Sequence, residues 1–235
     1  MSLITNYIKK EDRALPVFIL VDVSGSMQGQ KIGAVNVALK EMINSFKKIE
    51  NPKGVIELSV ITFGDEQVNV VKPLSRITED DSFELDANGS TPMGKCFETV
   101  ADLIEDYGVV SSRSFTPTIV LISDGNPTDF LNYHTGMSIE EIMNWPSLVK
   151  LNSGTRSSKA TRLAMGIGGD QDYNILKSFI NNESIPVIKA TDTQTISRFF
   201  DWVTMSISVR SVSSNPNKAS ILDADDYFDK EDIEF

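Results

Sequence analysis

The sequence predicts an α/β fold in which a doubly wound, mostly parallel sheet of six strands carries helices on both faces and has one antiparallel edge strand. Three observations lead to this prediction. Short, unbroken apolar runs such as residues 15–21 (LPVFILV) are typical of strands that are buried on both sides. Segments with helical periodicity alternate with these runs along the chain. The 235 residues, 40% of them hydrophobic, are enough for one large domain.

Each element has its own local signal. The first strand, at 15–21, is followed by a helix from about residue 31, which ends before the breaker at 51–54 (NPKG). A second strand at 55–63 turns directly into a strand at 68–71, and so short a connection makes this pair antiparallel and places the later strand at the edge. The remaining predicted elements are a helix at 93–107, a strand at 116–123, a helix opened by a capping box at 138–141 and interrupted near Pro146, a strand at 160–166, a helix at about 174–180, a strand at 187–190 and a final helix at about 193–209.

The two ends of the chain are assigned outside the main domain, which we place at residues 13–210. Residues 1–12 form a polar extension without the apolar core of a signal peptide, and no apolar run is long enough to span a membrane, so we expect a cytoplasmic protein. Residues 211–235 contain seven acidic residues and two lysines, and we interpret them as a solvated acidic tail. Interspersed apolar residues leave a second interpretation open, that of a docking segment: Ile221, Leu222, Tyr227, Phe228, Ile233 and Phe235.

Charge and cysteine content exclude several functions. The formal net charge of -11 gives a surface that repels phosphate backbones, so we expect no nucleic-acid partner. A single cysteine, Cys96, excludes an internal disulfide and a cysteine zinc cluster. We expect Cys96 to be a buried packing residue rather than a reactive thiol.

Oxygen-bearing side chains follow the first strand and the strand predicted to lie beside it. Asp22, Ser24 and Ser26 alternate directly after the first strand, Thr91 comes just before a helix, and Asp124 follows the strand at 116–123. Ligands of doubly wound sheets bind beyond the carboxyl ends of the strands, where the strand order reverses, so we expect these loops to meet there. Hydroxyl groups with few carboxylates suit Mg²⁺, with Mn²⁺ or Ca²⁺ as alternatives, and nothing in the set would select zinc. We expect Ser26 and Thr91 to lie at the surface.

Three segments, DVSGS, GSTPMG and SDGNPTD, resemble in order and spacing the metal-ion-dependent adhesion site (MIDAS) of von Willebrand factor A (VWA) domains. The similarity covers roughly residues 13–210, and it extends in particular to the cytosolic bacterial subgroup typified by the tellurium-resistance protein TerY. The resemblance implies that Ser24 and Ser26 coordinate a divalent cation directly. It also implies that Thr91 binds directly or through water, and that Asp22 and Asp124 act largely through bound waters.

The same resemblance implies a function. The remaining coordination position would take a carboxylate from a partner protein, and Asp129 would at most support the ligands from behind. In integrin-like relatives, ligand binding also shifts the last helix. We therefore predict a non-enzymatic, metal-dependent protein-interaction module, an adaptor or assembly factor in a TerY-like stress-response system. A co-encoded kinase or phosphatase is the candidate partner.

Other classes of function stay open. A magnesium-dependent phosphatase of the haloacid-dehalogenase type also has an Asp after the first strand, but it needs a second Asp where this chain has Ser24. A hydrolase triad needs a base, and the only histidine, His134, lies in a polar loop where an exposed side chain is expected. A phosphate-binding loop fails because Gln30 stands where that motif requires glycine. A further possibility is a structural domain whose metal only braces its loops.

Overall fold

The computed structural model describes residues 12–50, 52–169 and 173–235, so the predicted extension at 1–12 lies outside it except for its last residue. Within these residues the chain forms seven strands and six α-helices. The strands are β1 (Arg13–Asp22), β2 (Gly54–Gly64), β3 (Gln67–Arg76), β4 (Thr118–Ser123), β5 (Thr161–Ile167), β6 (Val187–Ala190) and β7 (Ile233–Glu234). The helices are α1 (Gln30–Lys47), α2 (Met93–Glu105), α3 (Ile139–Ile142), α4 (Pro146–Ser153), α5 (Tyr173–Ile180) and α6 (Thr193–Val212).

One sheet contains all seven strands, in the order β3-β2-β1-β4-β5-β6-β7. The five inner strands run parallel, and β3 and β7 pair antiparallel at the two edges. The predicted doubly wound, mostly parallel fold is therefore confirmed. The sequence predicted six strands, because β7 has only two residues and so carries no periodic pattern. Strand order reverses between β1 and β4, which places the carboxyl ends of these two strands side by side.

Helices cover both faces of the sheet and divide the apolar side chains between two cores. Val17 and Ile19 of β1 pack in the core under α1 and α6, whereas Phe18 and Leu20 pack in the core under α2, α4 and α5. Because both faces of β1 are buried, its sequence is an unbroken apolar run. Cys96 lies in the second core and is fully buried, as expected, and this burial raises the pKa of its thiol well above the ordinary value.

Local signals set the helix boundaries that the sequence predicted. The capping box is present at α3: the Ser138 hydroxyl accepts from the Glu141 amide, and the Glu141 carboxylate accepts from the Ser138 amide at 3.0 Å. α3 then ends after four residues, and Pro146 starts α4, where its missing amide proton costs nothing. At α6 the Asp192 carboxylate accepts from the Thr195 amide at 2.7 Å. Within the described ranges, no helix has the length and apolar character of a membrane span.

The C-terminal segment packs against the domain instead of extending into solvent. After α6 the chain returns to the edge of the sheet, where β7 pairs with β6. Phe228 and Ile233 are buried in the core under α1 and α6. The Trp202 indole of α6 donates a hydrogen bond to the Leu222 carbonyl at 2.9 Å. Our interpretation of a solvated tail is therefore wrong for this segment, whereas the domain boundary at residue 210 stays a prediction.

Ion pairs explain why so acidic a segment can pack there. Arg198 of α6 lies 3.2 Å from Asp232, and Glu234 lies 2.9 Å from Lys177 of α5 and 3.5 Å from Lys189 of β6. The hydrogen bonds from these lysines hold the pKa of Glu234 below its ordinary value. The acidic residues that indicated a tail thus partly neutralise basic side chains of the domain, which a count of charges along the sequence cannot show.

The carboxylate of Glu105, the last residue of α2, accepts three hydrogen bonds from residues 155–157. Burial raises its pKa, but hydrogen bonds from the Ser157 and Arg156 amides and the Thr155 hydroxyl outweigh this effect and lower it from 4.5 to about 2. The carboxylate therefore stabilises the folded chain fully above pH 4.5, and this contribution disappears as the pH falls toward 2. We expect Glu105→Gln to lower the free energy of unfolding by about 1–2 kcal/mol at pH 7.

Urea denaturation at pH 7 and at pH 3 tests this expectation. The difference between wild type and Glu105→Gln should shrink at the lower pH. Asp102→Asn on the same helix is the control, because the Asp102 side chain is 68% exposed and an exposed ion pair contributes little. A difference between wild type and Glu105→Gln that is the same at both pH values would contradict the assignment.

Candidate metal centre

The five residues predicted as ligands come together beyond the carboxyl ends of β1 and β4. Asp22 ends β1, and Ser24 and Ser26 follow it at the start of a short 3-10 turn. Thr91 precedes α2, and Asp124 directly follows β4. β1 and β4 are hydrogen-bonded neighbours, so the loops that follow them lie side by side. The predicted meeting of these loops at the reversal of strand order is therefore confirmed.

Three of the side-chain oxygens are in direct contact. The Ser24 Oγ lies 3.1 Å from the Ser26 Oγ, and the Ser26 hydroxyl donates to Asp124 Oδ1 at 2.6 Å. In an octahedral complex with metal–oxygen bonds of about 2.1 Å, neighbouring ligand oxygens are about 3 Å apart. The spacing of these oxygens therefore fits a small, hard divalent cation.

Thr91 brings a further hydroxyl to the same point. A Cβ atom placed on Gly125 would lie 3.6 Å from the Thr91 Oγ1 and 3.8 Å from the Ser26 Oγ, so these two hydroxyls flank one glycine. Thr91 is only 5% exposed, which corrects our expectation of a surface position, whereas Ser26 is exposed as expected. The Thr91 hydroxyl is therefore close enough to the Ser26 hydroxyl to be a further oxygen donor to a cation bound at this point.

Asp22 is fully buried and is held from two sides. Its Oδ1 accepts from the Ser24 amide at 2.8 Å, and its Oδ2 accepts from the Ser123 hydroxyl at 2.5 Å. Burial raises the pKa of Asp22 above its ordinary value in spite of these bonds, and the negative charge of Asp124 raises it further. Two buried carboxylates that repel each other favour a cation near them. Sequence reasoning missed Ser123, although a hydroxyl directly before Asp124 was a usable signal.

The loop after β4 also fixes the start of α2. The Asp129 carboxylate accepts from the Gly94 amide at 3.0 Å and from the Lys95 amide at 2.8 Å, where the helix dipole favours a negative charge. The Thr128 hydroxyl accepts from the Thr91 amide at 3.1 Å. Asp129 therefore stabilises the start of α2, which follows Thr91. Its two hydrogen bonds are to backbone amides and not to the oxygens of the cluster.

Lys31 is a residue of the site that sequence reasoning missed. Its ammonium group forms an ion pair with Asp124 Oδ2, on the carboxylate oxygen opposite the one that Ser26 contacts. The Asp124 side chain is fully buried, and the Lys31 side chain is 37% exposed. In the sequence, Lys31 marks only the approximate start of the predicted helix and follows Gln30, the residue that excludes a phosphate-binding loop.

The donor set is made of oxygen atoms. Within the described ranges, no three His, Cys, Asp or Glu side chains come together to hold a metal, so the site relies on two carboxylates with three hydroxyls. Such a set of oxygen donors can hold a divalent cation. His134 is exposed, and its Nδ1 lies 3.4 Å from the Thr135 carbonyl. Ser24 occupies the position two residues after Asp22 where the phosphatase alternative requires a second Asp, and the second carboxylate of the cluster, Asp124, follows β4 instead.

Comparison with known proteins gives the class to which this fold corresponds. Residues 17–126, which include all five predicted ligands, match the family model of the von Willebrand factor type A domain. No curated protein matches the sequence.

Solved structures share the fold at low sequence identity. A von Willebrand factor type A protein from Catenulispora acidiphila is 20% identical with a TM-score of 0.62, over 83% of this chain and 42% of the other. Proximal thread matrix protein 1 from the mussel byssus, with a zinc-occupied MIDAS motif, is 17% identical with a TM-score of 0.58, over 82% and 45%. The vWF domain of the type V pili tip protein Mfa5 from Porphyromonas gingivalis is 13% identical with a TM-score of 0.62, over 87% and 98%.

The chain therefore has the fold of a VWA domain. It spans less than half the length of the first two of these proteins and nearly all of the Mfa5 domain.

Proposed function

We propose that the chain is a VWA-type interaction module that binds an Asp or Glu carboxylate of a partner protein through a divalent cation. The cation would be held by Asp22, Ser24, Ser26, Thr91 and Asp124. The observation that carries this proposal is the convergence of three hydroxyls and two buried carboxylates where the strand order reverses. The zinc-occupied MIDAS motif of the mussel protein supports a divalent cation. The oxygen donors favour Mg²⁺, with Mn²⁺ and Ca²⁺ next.

The charge of the site explains how an acidic protein can bind an acidic partner. A cation held largely by neutral hydroxyls keeps much of its positive charge. Both Asp22 oxygens already accept hydrogen bonds, which leaves this carboxylate to act mainly through water. Ser26 is exposed, so the cluster is open to solvent on the Ser26 side, where a partner carboxylate can approach. The local positive charge then outweighs the net charge of -11, which is spread over the whole surface and screened by salt.

We infer the biological role from the resemblance of the three segments DVSGS, GSTPMG and SDGNPTD to those of TerY-like proteins. It is that of a non-catalytic adaptor or assembly factor in the cytosol, in a TerY-like stress-response system. A co-encoded kinase or phosphatase is the candidate partner. The alternative is a domain in which the cation only braces the loops, and in that case partner binding would survive removal of the metal.

Cation binding provides the first test of the proposal. We expect Ser26→Ala and Thr91→Ala to weaken Mg²⁺ or Mn²⁺ binding at least about tenfold, because each removes an oxygen of the cluster. Isothermal titration with Mg²⁺, Mn²⁺, Ca²⁺ and Zn²⁺ measures the affinities and identifies the preferred ion. Ser90→Ala is the matched control, because the Ser90 hydroxyl instead accepts from the Glu66 amide at 2.9 Å. Unchanged affinity in both site variants would exclude the assigned ligands.

Partner capture provides the second test. Wild type and Thr91→Ala are compared as baits in a lysate of the source organism, in Mg²⁺ and in EDTA. A protein retained only by wild type in Mg²⁺ supports recognition through the metal. Retention of the same proteins under every condition would instead support the loop-bracing alternative.

A further inference from the structure

Lys31 gives the candidate metal centre a charge balance that its predicted ligands alone do not have. The Lys31 ammonium lies on one oxygen of Asp124, and the Ser26 hydroxyl lies on the other, so the buried carboxylate is engaged from both sides. Asp22, the second buried carboxylate, accepts only from a hydroxyl and an amide. Two carboxylates therefore face one fixed ammonium group.

We infer that Lys31 sets the charge of this site, so that the cation binds less tightly by itself and the occupied site keeps a net positive charge for an acidic partner. With Lys31, the two carboxylates and one ammonium carry one net negative charge, and a divalent cation changes this to one positive charge. Without Lys31, the same cation would leave a neutral site. This inference rests on the proposed function, because it concerns the same cation and the same partner carboxylate.

The consequence is a coupling between the two binding events. An ammonium group close to the cluster repels the incoming cation, and a carboxylate from a partner relieves that repulsion. The cation and the partner therefore each bind more tightly when the other is present, and by the same factor. Lys31 acts through Asp124 as a positioning residue and need not touch the partner.

The position of Lys31 is suited to this role. It lies in the first turn of α1, whose backbone is fixed by packing against the sheet and α6. Its partly exposed side chain reaches a carboxylate that has no exposure of its own. The attachment of Lys31 to this helix keeps its ammonium group within reach of Asp124. Asp124 is therefore not left buried and unpaired when the cation is absent, which would be costly.

Titration with Mn²⁺ alone tests the inference. Lys31→Met should bind Mn²⁺ at least about tenfold more tightly than wild type, because a positive charge next to a doubly charged ion is removed. Lys31→Arg, which keeps the charge, should stay close to wild type. Lys95→Met is the matched control for net charge. It also lies in the first turn of a helix beside the site, but its ammonium group donates to the Glu66 carbonyl at 3.3 Å.

Thermal unfolding gives an independent readout. In EDTA, Lys31→Met should unfold at a lower temperature than wild type, since Asp124 is left buried without a positive partner. Added Mn²⁺ should raise the unfolding temperature of this variant more than that of wild type. A purely structural role of Lys31 would lower the stability without tightening Mn²⁺ binding.

Each outcome separates this inference from the proposed function. If wild type binds Mn²⁺ and Lys31→Met binds it equally or more weakly, the role of Lys31 is overturned and the metal centre stands. If neither wild type nor Lys31→Met binds Mn²⁺, Mg²⁺, Ca²⁺ or Zn²⁺, both proposals are overturned. Equal tightening in Lys31→Met and Lys95→Met would attribute the effect to net charge and would also overturn the inference.

Discussion

Removal of residues 214–235 should lower the free energy of unfolding by about 5 kcal/mol or more. The deleted segment contributes Ala224, Phe228 and Ile233 to the core under α1 and α6, and burial of each large apolar side chain contributes about 1.5–3 kcal/mol. Deletion also exposes Trp202, which is 1% exposed and donates to the Leu222 carbonyl. Domains of ordinary stability unfold with about 5–15 kcal/mol, so the truncated chain should be marginal at 25 °C. Urea denaturation followed by tryptophan fluorescence measures the loss.

Two point variants test the same packing without truncation. Phe228 is 6% exposed and packs edge-to-face on Trp202, with ring centroids 5.9 Å apart, so Phe228→Ala should cost about 3–5 kcal/mol. Phe235 is 69% exposed, and Phe235→Ala should change the stability by less than about 0.5 kcal/mol. Equal and small losses in both variants, or full stability of the truncated chain, would show that the C-terminal segment is not part of the folded core.

Gly94→Val should both destabilise the chain and weaken the metal centre. A Cβ atom on Gly94 would overlap the Trp145 ring and come within 2.8 Å of the Ser147 Oγ, so α2 and α4 would have to move apart. Trp145 cannot shift freely, because it stacks on Phe130 at 4.6 Å with nearly parallel rings. Overpacking of this kind costs about 3 kcal/mol. A shift of α2 would also move Thr91, which lies just before the helix and is one of the predicted ligands.

Urea denaturation and Mn²⁺ titration of the same preparations measure the two effects. Gly33→Ala is the control on the other face of the sheet. It lies inside α1 with open space where its Cβ would be, and alanine there should raise the stability by up to about 1 kcal/mol. An unchanged denaturation midpoint for Gly94→Val would mean that α2 does not depend on this close contact. A lower midpoint with unchanged Mn²⁺ affinity would separate the packing of α2 from the metal centre.

Elements with a long periodic pattern could be predicted closely from the sequence. α1 begins one residue before its predicted start, because its apolar stripe is regular and a breaker follows it. β6 has the bounds that were predicted, since it is a short apolar run between polar turns. β3 is longer than predicted, Gln67–Arg76 instead of 68–71, because the outer edge of a sheet leaves much of its later part exposed and polar. The hydrophobic pattern of the sequence thus indicates which residues are buried, and it does not give the bounds of an element that is only partly buried.

The sequence by itself determined the order of the elements and the identity of the oxygen-bearing residues that meet at the candidate metal centre. Both are readable because parallel strands place their carboxyl ends at one edge of the sheet, so residues after those strands must meet. Only the tertiary structure decided that Lys31 pairs with Asp124 and that the acidic C-terminal segment returns to the sheet as β7. These contacts join residues far apart in the chain, 93 positions in the case of Lys31 and Asp124, and no local pattern records them. They depend on which surfaces the packed helices bring together, which is a property of the folded chain.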